Sequence, residues 1–367
     1  MNKQDKEKFM NIALDLALKA KEKTYPNPMV GCVIVKNNVI IGKAYHSLAG
    51  KDHAEIKAIK SVKGSCKGST MFVTLEPCSN YGKTPPCTKA IIESGISNVI
   101  VGMKDPNPIN KDKGIRCLKK NGINVEVGIC KKEAENINKK YCKFIINKMP
   151  YVTIKLAQSI DGKIAARNGT SKWITGEQSR KYVKKIRSCF NGIMVGINTV
   201  KKDNPFLLCK NKKENNVFRL IVDTHLNISL DSNLINTKNI SPIIIGTTQF
   251  ADKKKMDILN KMDNIELIVT KSKKGMVNLN SFFSNLFKRG IVNILVEGGG
   301  KIVGSLIEEN LVDEAMFFIA PKILGGNCLS IKNKGVKDIS KAILLHNIKS
   351  EIIDKDILVR GELCLQV

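Results

Sequence analysis

DHAEIKAIK, from Asp52 to Lys60, and TLEPCSNYGKTPPC, from Thr74 to Cys87, are the two stretches around which the whole sequence is organised. Together they supply a histidine, a glutamate two residues later and two cysteines, the first of which directly follows a proline. Neutral imidazole and thiolate suit Zn²⁺, and a site with three protein ligands leaves the fourth position for water. We therefore predict that His53, Cys78 and Cys87 bind zinc.

The order His-x-Glu, then Pro-Cys, then Cys is the signature of zinc deaminases that act on nucleobases. In such a site Glu55 is the general acid/base that carries a proton from water to the leaving amine. The usual signature has two residues between the cysteines, whereas eight separate Cys78 from Cys87. The spacing therefore leaves two interpretations, a particular deaminase family or a surface histidine with two core thiols. The ordered set, with Pro77 before the first cysteine, favours a zinc site.

The composition is that of a globular protein. The chain has 367 residues, enough for two domains, and 43% of them are hydrophobic. Its longest apolar runs, such as Val30 to Val35, have the length of strands, so we expect no transmembrane helix and no membrane partner. The first residues mix acids with lysines, which is not typical of a signal peptide and favours the cytoplasm. Eleven cysteines in this context predict reduced thiols.

The formal net charge of +28 is the one compositional feature that could indicate a nucleic-acid partner. The lysines are scattered, however, and aromatic residues make up only 5% of the chain. Abundant asparagine and isoleucine indicate a compositional bias. We therefore predict no nucleic-acid partner, although the charge would favour anionic, phosphorylated substrates.

The first half predicts strands that alternate with helices, which indicates a three-layer α/β domain. An amphipathic helix is predicted from the spacing of Phe9, Ile12, Ala13, Leu16, Ala17 and Ala20. Two strands, joined at Asn37-Asn38, form a predicted hairpin. Further predicted strands begin at Thr70, Ser97 and Ile123. Predicted helices begin near His53, Pro85 and Gly114, and a last one runs to about Ile146.

Four stretches then carry a specific resemblance: PNPMVGCVIVK from Pro26, AGKDHAEIKAI from Ala49, TLEPCSNYGKTPPC, and MKDPNP from Met103. Together they resemble the deaminase half of the bifunctional riboflavin-biosynthesis family, in which eight residues between the zinc cysteines are the rule. The resemblance implies a cytidine-deaminase-like fold. It also implies substrate contacts at Asn27, His46, Lys83, Asp105 and Asn107. Asn80 stands where this family often has histidine.

Asn147 to Pro150 is the predicted domain boundary, which gives domains 1–147 and 148–367. The second half begins with a strand at Tyr151 and ends its motifs with VEGGG, from Val296, followed by a helix. In that turn glycines let the backbone approach a phosphate, and N–H groups from Lys301 onward point at it. A plain strand-to-helix turn explains the same residues.

SIDGKIA from Ser159, SKWIT from Ser171, VGINTVKKDNP from Val195 and VEGGG resemble, in this order, the reductase half of the same family. The resemblance implies a dihydrofolate-reductase-like α/β domain that uses NADPH. The implied cofactor contacts are Ala157, Trp173, Thr199, Asp203, Thr224, Gly299, Gly300, Lys301, Ile302, Val303, Gly304 and Ser305. The implied substrate contacts are Lys155, Ser171, Thr175, Arg187, Leu207, Lys210 and Glu297. Lys210 stands where the family commonly has arginine. Lysine keeps the positive charge but cannot make the bidentate phosphate contact of arginine.

The sequence therefore predicts a bifunctional enzyme with one Zn²⁺ per deaminase domain. The first domain would deaminate 2,5-diamino-6-(5-phosphoribosylamino)pyrimidin-4(3H)-one. The second would reduce 5-amino-6-(5-phosphoribosylamino)uracil to the ribitylamino phosphate with NADPH. A homo-oligomer is implied by resemblance alone. Two alternatives stay open: a nucleic-acid deaminase of the tRNA type, which predicts Cys-x-x-Cys, and a deaminase whose second domain is not catalytic.

Overall fold

The computed structural model describes residues 1–20, 23–81, 85–209 and 217–364. The chain divides into two compact units, Met1–Lys148 and Met149–Val367. Each unit is built around a sheet of its own. Among the described residues, none of the helices combines the length and the apolar composition that crossing a membrane requires.

In the first unit the described strands are β1 (Gly31–Lys36), β2 (Val39–Tyr45), β3 (Thr70–Leu75), β4 (Asn98–Met103) and β5 (Asn124–Val127). The helices are α1 (Lys3–Leu18), α2 (Ala54–Lys60), α3 (Cys87–Glu93), α4 (Lys113–Lys120), α5 (Lys131–Ile137) and α6 (Lys139–Asn147). The strand order is β2-β1-β3-β4-β5. β1 is antiparallel to both β2 and β3, whereas β3, β4 and β5 are parallel.

The predicted N-terminal helix and the predicted hairpin are confirmed. Helix α1 buries Phe9, Ala13 and Ala17 on one face, as an amphipathic helix on a sheet must. Between β1 and β2, Asn37 and Asn38 have φ of 51° and 59°. A two-residue hairpin turn needs such left-handed conformations because they match the twist of the strands, and asparagine tolerates them well.

The predicted helix that runs to about Ile146 is two helices, α5 and α6, which meet at Asn138. The Asn138 side chain is buried and bonds the backbone of a distant residue: Oδ1 accepts from Met29 N at 2.8 Å, and Nδ2 donates to Met29 O at 3.0 Å. These tertiary hydrogen bonds compete with the helix, because a short amide side chain can replace backbone partners. The helical periodicity of the sequence carries no sign of them.

In the second unit the described strands are β6 (Tyr151–Ser159), β7 (Gly192–Gly196), β8 (Phe218–Val222), β9 (Ile243–Thr248), β10 (Ile265–Thr270), β11 (Asn293–Val296), β12 (Glu314–Ala320), β13 (Leu344–Ile353) and β14 (Asp356–Cys364). The α-helices are α7 (Glu177–Ile186), α8 (Ile197–Asp203), α9 (Asn233–Asn236), α10 (Lys253–Asn260), α11 (Leu279–Lys288) and α12 (Gly300–Glu308). Among the described residues, 3₁₀ turns cover Arg187–Cys189 and Ile339–Lys341. The first of these 3₁₀ turns directly continues α7.

The sheet of the second unit has the order β10-β9-β8-β7-β11-β6-β12-β14-β13. Neighbours from β10 to β12 are parallel, and β14 is antiparallel to β12 and β13. Successive residues of the inner strands belong to different cores. Met194 and Leu220 lie in one apolar cluster, while Ile193 and Ile221 lie in another. Because side chains alternate along a strand, both faces of this sheet are covered.

Candidate active sites

The three predicted zinc ligands of the first unit lie together. His53 caps the N-terminus of α2, Cys87 begins α3, and Cys78 follows the end of β3. His53 Nδ1 lies 3.2 Å from Cys87 Sγ and 3.6 Å from Cys78 Sγ. The three potential ligand atoms are all within 4.8 Å of one another. Two helix starts and one strand end thus converge on one point.

This geometry fits a tetrahedral zinc ion. Zn–S bonds of about 2.3 Å and Zn–N bonds of about 2.0 Å imply a nitrogen-to-sulfur separation of roughly 3.6 Å. The two measured separations, 3.2 and 3.6 Å, are close to that value. A hydrogen bond from the Cys87 thiol lowers the pKa of the Cys78 thiol well below its usual value. One thiol of the pair is therefore readily present as thiolate, the form that binds a metal.

Glu55 lies in the first turn of α2, two residues after His53, and its side chain is buried. Burial, reinforced by the negative charge of Cys78, raises the pKa of Glu55 to about 7. A carboxyl group whose pKa is near neutral can both take up and release a proton at that pH. Glu55 therefore has the property that a proton carrier beside a metal-bound water needs.

A cavity of about 280 Å³ opens beside these residues and is lined by His53, Glu55 and Cys78. Four predicted substrate contacts lie in the same lining: Asn27, His46, Asp105 and Asn107. The fifth, Lys83, lies outside the described residues. The structure therefore brings residues from four separate segments of the first unit to one cavity.

His46 is held in one orientation. Its Nδ1 lies 3.2 Å from the carbonyl oxygen of Asp52, and its Nε2 lies 3.4 Å from Nδ2 of Asn27. Burial lowers the pKa of His46, which favours the neutral ring. The neutral ring then donates from Nδ1 to Asp52 and accepts at Nε2 from Asn27. The two predicted contacts are thus one hydrogen-bonded pair.

Sequence reasoning missed three further polar residues of this cavity, Glu76, Asn110 and Tyr141. They surround Asp105, whose side chain is buried. Tyr141 OH donates to Asp105 Oδ1 at 2.9 Å, and Asn110 Nδ2 donates to Oδ2 at 2.8 Å. The backbone N–H of Asn107 also donates to Oδ1. Glu76 stands in the quoted TLEPC motif, which was the available signal for it, whereas Tyr141 lies in α6 with no motif around it.

The second unit contains a cluster of three buried or half-buried charges, Lys155, Arg187 and Glu297. Arg187 donates from Nε to Glu297 Oε1 at 2.6 Å and from Nη2 to Oε2 at 3.1 Å. Lys155 Nζ lies 3.7 Å from Oε2. The sheet explains this meeting, because Val296 of β11 pairs with Ile154 of β6 and the charged residues follow directly.

The charges in this cluster shift one another's pKa. Burial opposes the ionised form of Glu297, but Arg187 and Lys155 outweigh burial and lower its pKa. Burial lowers the pKa of Lys155, although Glu297 opposes that shift. Glu297 is thus a firmly ionised carboxylate, and Lys155 is an ammonium group that gives up its proton more easily than an exposed lysine.

A second cavity, of about 480 Å³, lies at the N-terminus of α12. Its lining includes these predicted cofactor contacts: Thr199, Thr224, Gly299, Gly300, Lys301, Ile302 and Ser305. The described lining does not include Ala157, Trp173, Asp203, Val303 and Gly304. Val303 is fully buried in the apolar core, and Asp203 is the last residue of α8.

The remaining predicted residues occupy different surroundings. Trp173 is 61% exposed, and the guanidinium of Arg180 lies 4.4 Å from its ring centroid. Arg180 also donates to the carbonyl of Thr175, which is buried. Leu207 is buried beside Leu208, whose carbonyl accepts from Arg187 at 3.0 Å. Ser171 is half-buried in the loop before Trp173, and Lys210 lies outside the described residues.

Two family models match this chain. The cytidine and deoxycytidylate deaminase zinc-binding region matches residues 3–103, and the RibD C-terminal domain matches residues 150–359, more than half of the chain. The chain belongs to the RibD family. It is a bifunctional enzyme of riboflavin biosynthesis, with a zinc-binding deaminase region and a reductase domain. The predicted family and the predicted fold class are confirmed.

RibD relatives cover nearly the whole chain. The riboflavin biosynthesis protein RibD of Aquifex aeolicus is 38% identical over 96% of both chains. That of Escherichia coli K12 is 36% identical over 88% of this chain and 89% of the relative. The crystal structure of a diaminohydroxyphosphoribosylaminopyrimidine deaminase/5-amino-6-(5-phosphoribosylamino)uracil reductase from Thermotoga maritima, 33% identical, matches 99% of both chains with a TM-score of 0.85. Acinetobacter baumannii RibD, 30% identical, covers 99% of this chain and 100% of its own with a TM-score of 0.86.

Proposed function

We propose that residues 1–147 deaminate 2,5-diamino-6-(5-phosphoribosylamino)pyrimidin-4(3H)-one and that residues 148–367 reduce the product with NADPH. The observation that carries this proposal is the convergence of His53, Cys78 and Cys87 beside the buried Glu55, in a cavity with polar groups around it. The product of the first reaction, 5-amino-6-(5-phosphoribosylamino)uracil, is the substrate of the second. We place both reactions in the cytoplasm and in a homo-oligomer.

In the deaminase, His53, Cys78 and Cys87 would hold Zn²⁺, which lowers the pKa of a bound water. Glu55 would carry the two protons of the attacking water in turn, one to the ring nitrogen beside the reacting carbon and the other to the exocyclic nitrogen. The oxygen of the water stays on the ring carbon as a carbonyl, and ammonia leaves. A pKa of about 7 suits Glu55 to both halves of this transfer.

The other polar groups of the cavity orient the pyrimidine. The Asn27–His46 pair offers hydrogen-bond partners on one side of the cavity, and Asn107 beside the buried Asp105 offers them on another. Because these groups are themselves held by hydrogen bonds, little ordering remains when the substrate binds, and the reacting carbon is held in position. Lys83 is proposed to contact the phosphate of the same substrate.

In the reductase, the cavity at the N-terminus of α12 would hold NADPH, which supplies a hydride. Thr199, Thr224, Gly299, Gly300, Lys301, Ile302 and Ser305 would bind the cofactor, with its phosphates near the helix N-terminus. Ala157, Trp173 and Asp203 complete the proposed cofactor contacts. The choice of NADPH over NADH rests on the family resemblance.

The charge cluster would bind the ribose phosphate end of the substrate. Opening the ribose requires a proton on its ring oxygen as the hydride reaches the carbon, and Lys155 is suited to supply it because burial lowers its pKa. Arg187 and Glu297 would hold Lys155 and the substrate hydroxyl groups in place. Ser171, Thr175, Leu207 and Lys210 are the further proposed substrate contacts.

The two alternatives are less well supported. A nucleic-acid deaminase does not account for the RibD C-terminal domain, which matches residues 150–359. A non-catalytic second domain does not account for a paired charge cluster and a cavity that together contain most of the predicted reductase residues.

The test is an assay of the purified full-length protein in which ammonia release and NADPH oxidation are followed separately. The diaminopyrimidine substrate starts the first reaction, and the deaminated product is supplied to start the second. We expect wild type to carry out both. Glu55→Ala should lose ammonia release and keep NADPH oxidation on the supplied product.

Each half of the proposal has its own contradicting result. Ammonia release that survives Glu55→Ala would rule out the proton-transfer role. NADPH oxidation that is absent from wild type, with the deaminated product present, would mean that the second unit has the fold without the reaction.

A further inference from the structure

Glu76 has a role that neither the zinc chemistry nor the predicted substrate contacts explain. It directly follows β3, and its side chain is buried. Its carboxylate accepts four backbone N–H groups: from Asp105 at 3.2 Å, Asp112 at 3.2 Å, Gly114 at 3.1 Å and Ile115 at 3.3 Å. All four donors belong to residues 105–115, which run from just after β4 into the first turn of α4; we name this segment the substrate loop.

Two more contacts join the substrate loop to residues 76–80, which we name the zinc segment because Cys78 lies in it. A side-chain carbon added at Gly114 would lie 1.9 Å from the carbonyl oxygen of Pro77, so the two backbones touch. At the far end Asn80 Nδ2 donates to Ile109 O at 2.9 Å and to Asn110 Oδ1 at 3.0 Å. The two segments are therefore tied at both ends and in the middle.

The topology of the sheet explains why these two segments lie side by side. β3 and β4 are parallel neighbours, and their pairing reaches Leu75 and Met103. The zinc segment and the substrate loop leave the same edge of the sheet side by side. Beyond that edge the ladder has ended, so backbone N–H groups of the loop need other partners. The Glu76 carboxylate supplies them.

We propose that Glu76 is a positioning residue for the deaminase: it fixes the substrate loop, with Asp105 and Asn107, at a set distance from the zinc ligand Cys78. The inference rests on the proposed deaminase function. Glu76 contacts neither the reacting carbon nor the water in this proposal. It acts through the loop that it holds, and therefore through the substrate contacts on that loop.

A carboxylate is required here because both of its oxygens accept hydrogen bonds. Oε1 accepts from Gly114 and Ile115, and Oε2 accepts from Asp105 and Asp112. A glutamine in the same place keeps one accepting oxygen and turns an NH₂ group toward two N–H donors. One pair of loop amides then loses its partner, whichever way the amide is oriented.

The experiment compares full-length wild type with Glu76→Gln and with a matched control, Glu93→Gln. Glu93 is exposed on α3 and forms a surface ion pair with Lys89 at 3.9 Å, so the control makes the same chemical change without the four bonds. Hydrogen exchange of residues 105–115, zinc content, and the KM and kcat of ammonia release are measured for each protein. NADPH oxidation on the supplied product monitors the second unit.

We expect Glu76→Gln to accelerate amide exchange in the substrate loop and to raise KM about tenfold, with a smaller change in kcat. Zinc content and NADPH oxidation should equal those of wild type and of Glu93→Gln. The split between KM and kcat matters because the substrate contacts move while Glu55 and the zinc ligands stay.

A second variant, Asn80→Ala, removes the two hydrogen bonds that the half-exposed Asn80 side chain donates to Ile109 and Asn110. It should raise KM by a smaller factor than Glu76→Gln, with faster amide exchange near Ile109 and Asn110. Unchanged loop exchange in Glu76→Gln would overturn the inference, as would a fall in kcat together with zinc loss at unchanged KM. If wild type itself released no ammonia, the proposed function would fail, and loop exchange would still decide whether Glu76 holds the loop.

Discussion

Glu55 in the first unit and Glu297 in the second are both largely buried glutamates, yet their pKa values move in opposite directions. Burial raises the pKa of Glu55 to about 7. Burial also acts on Glu297, but the positive charges of Arg187 and Lys155 outweigh it and lower the pKa. The same side chain is therefore suited to carry a proton in one unit and to remain a fixed negative charge in the other. The partners of a buried acid, more than burial itself, decide its chemical role.

The two sites also differ in how the chain builds them. The candidate zinc ligands and Glu55 lie between residues 53 and 87, at the starts of two helices and after the end of one strand. The second site collects Lys155 from the middle of β6, Arg187 from a 3₁₀ turn and Glu297 from just after the end of β11, which are far apart in sequence. A site assembled over long distances depends on the whole sheet.

Removal of zinc should have the largest effect, because it should abolish the activity of one unit and leave that of the other. Because the described His/Cys cluster lies wholly in the first unit, a chelator should abolish ammonia release and leave NADPH oxidation on the supplied product unchanged. Added zinc should restore ammonia release. The measurement is both activities on one sample before and after chelation. A parallel loss of NADPH oxidation would show that the second site is not independent of the metal.

Arg187→Met should have the next largest effect, because it leaves Glu297 buried with only the more distant Lys155. Breaking a buried ion pair by removal of one partner costs about 3–5 kcal/mol. Denaturant unfolding should show this loss in the second unit, and NADPH oxidation should fall while ammonia release stays. The matched control is Arg289→Met. Arg289 pairs with Glu266 at the surface, where such a pair contributes about 0–1 kcal/mol. Equal losses in the two variants would contradict the distinct role of the buried cluster.

Gly304→Ala should have a smaller effect, confined to the second unit. A side-chain carbon at residue 304 would lie 2.2 Å from the carbonyl oxygen of Lys332, so α12 must shift. Such overpacking costs about 1–3 kcal/mol and should weaken NADPH binding through the displaced helix N-terminus. NADPH titration and denaturant unfolding measure both effects. Gly176→Ala, whose added carbon would meet its nearest atoms at 3.5 Å, is the control. Wild-type NADPH affinity in Gly304→Ala would show that the helix start does not depend on this contact.

The sequence predicted the elements and the local chemistry well, for a physical reason. The spacing of apolar residues and the identity of turn residues are local properties of the sequence. For this reason α1, the β1–β2 hairpin and the alternating strands could be predicted. The candidate ligand set could be predicted because imidazole and thiolate are the groups that suit zinc, and the structure brings these three residues together. Asn138 and Tyr141 could not be predicted in the same way, because their roles come from hydrogen bonds to Met29 and Asp105. Those partners are distant in sequence.

The run from Gly299 to Ser305 illustrates a second limit. Family resemblance carries over a continuous stretch, but a helix makes one turn every 3.6 residues. Seven consecutive residues of such a stretch cover about two turns, so some must face away from any one cavity. In the structure Ser305 lines the cavity, whereas Val303 packs in the apolar core and Gly304 meets the backbone of Lys332. These last two support the helix position, and any part they have in cofactor binding would be indirect.

The pairing of β6 has a consequence for synthesis on the ribosome. β6 begins at Tyr151, but its partners are Asn293 to Val296 on one side and Glu314 to Ala320 on the other. During translation the first unit, whose paired strands all lie before residue 148, can close its sheet early. Strand β6 of the second unit, by contrast, has neither of its neighbouring strands to pair with while more than a hundred residues are added. Its unpaired backbone N–H and C=O groups are available to other chains throughout that interval, and we expect misassembly of the second unit to begin at this stage.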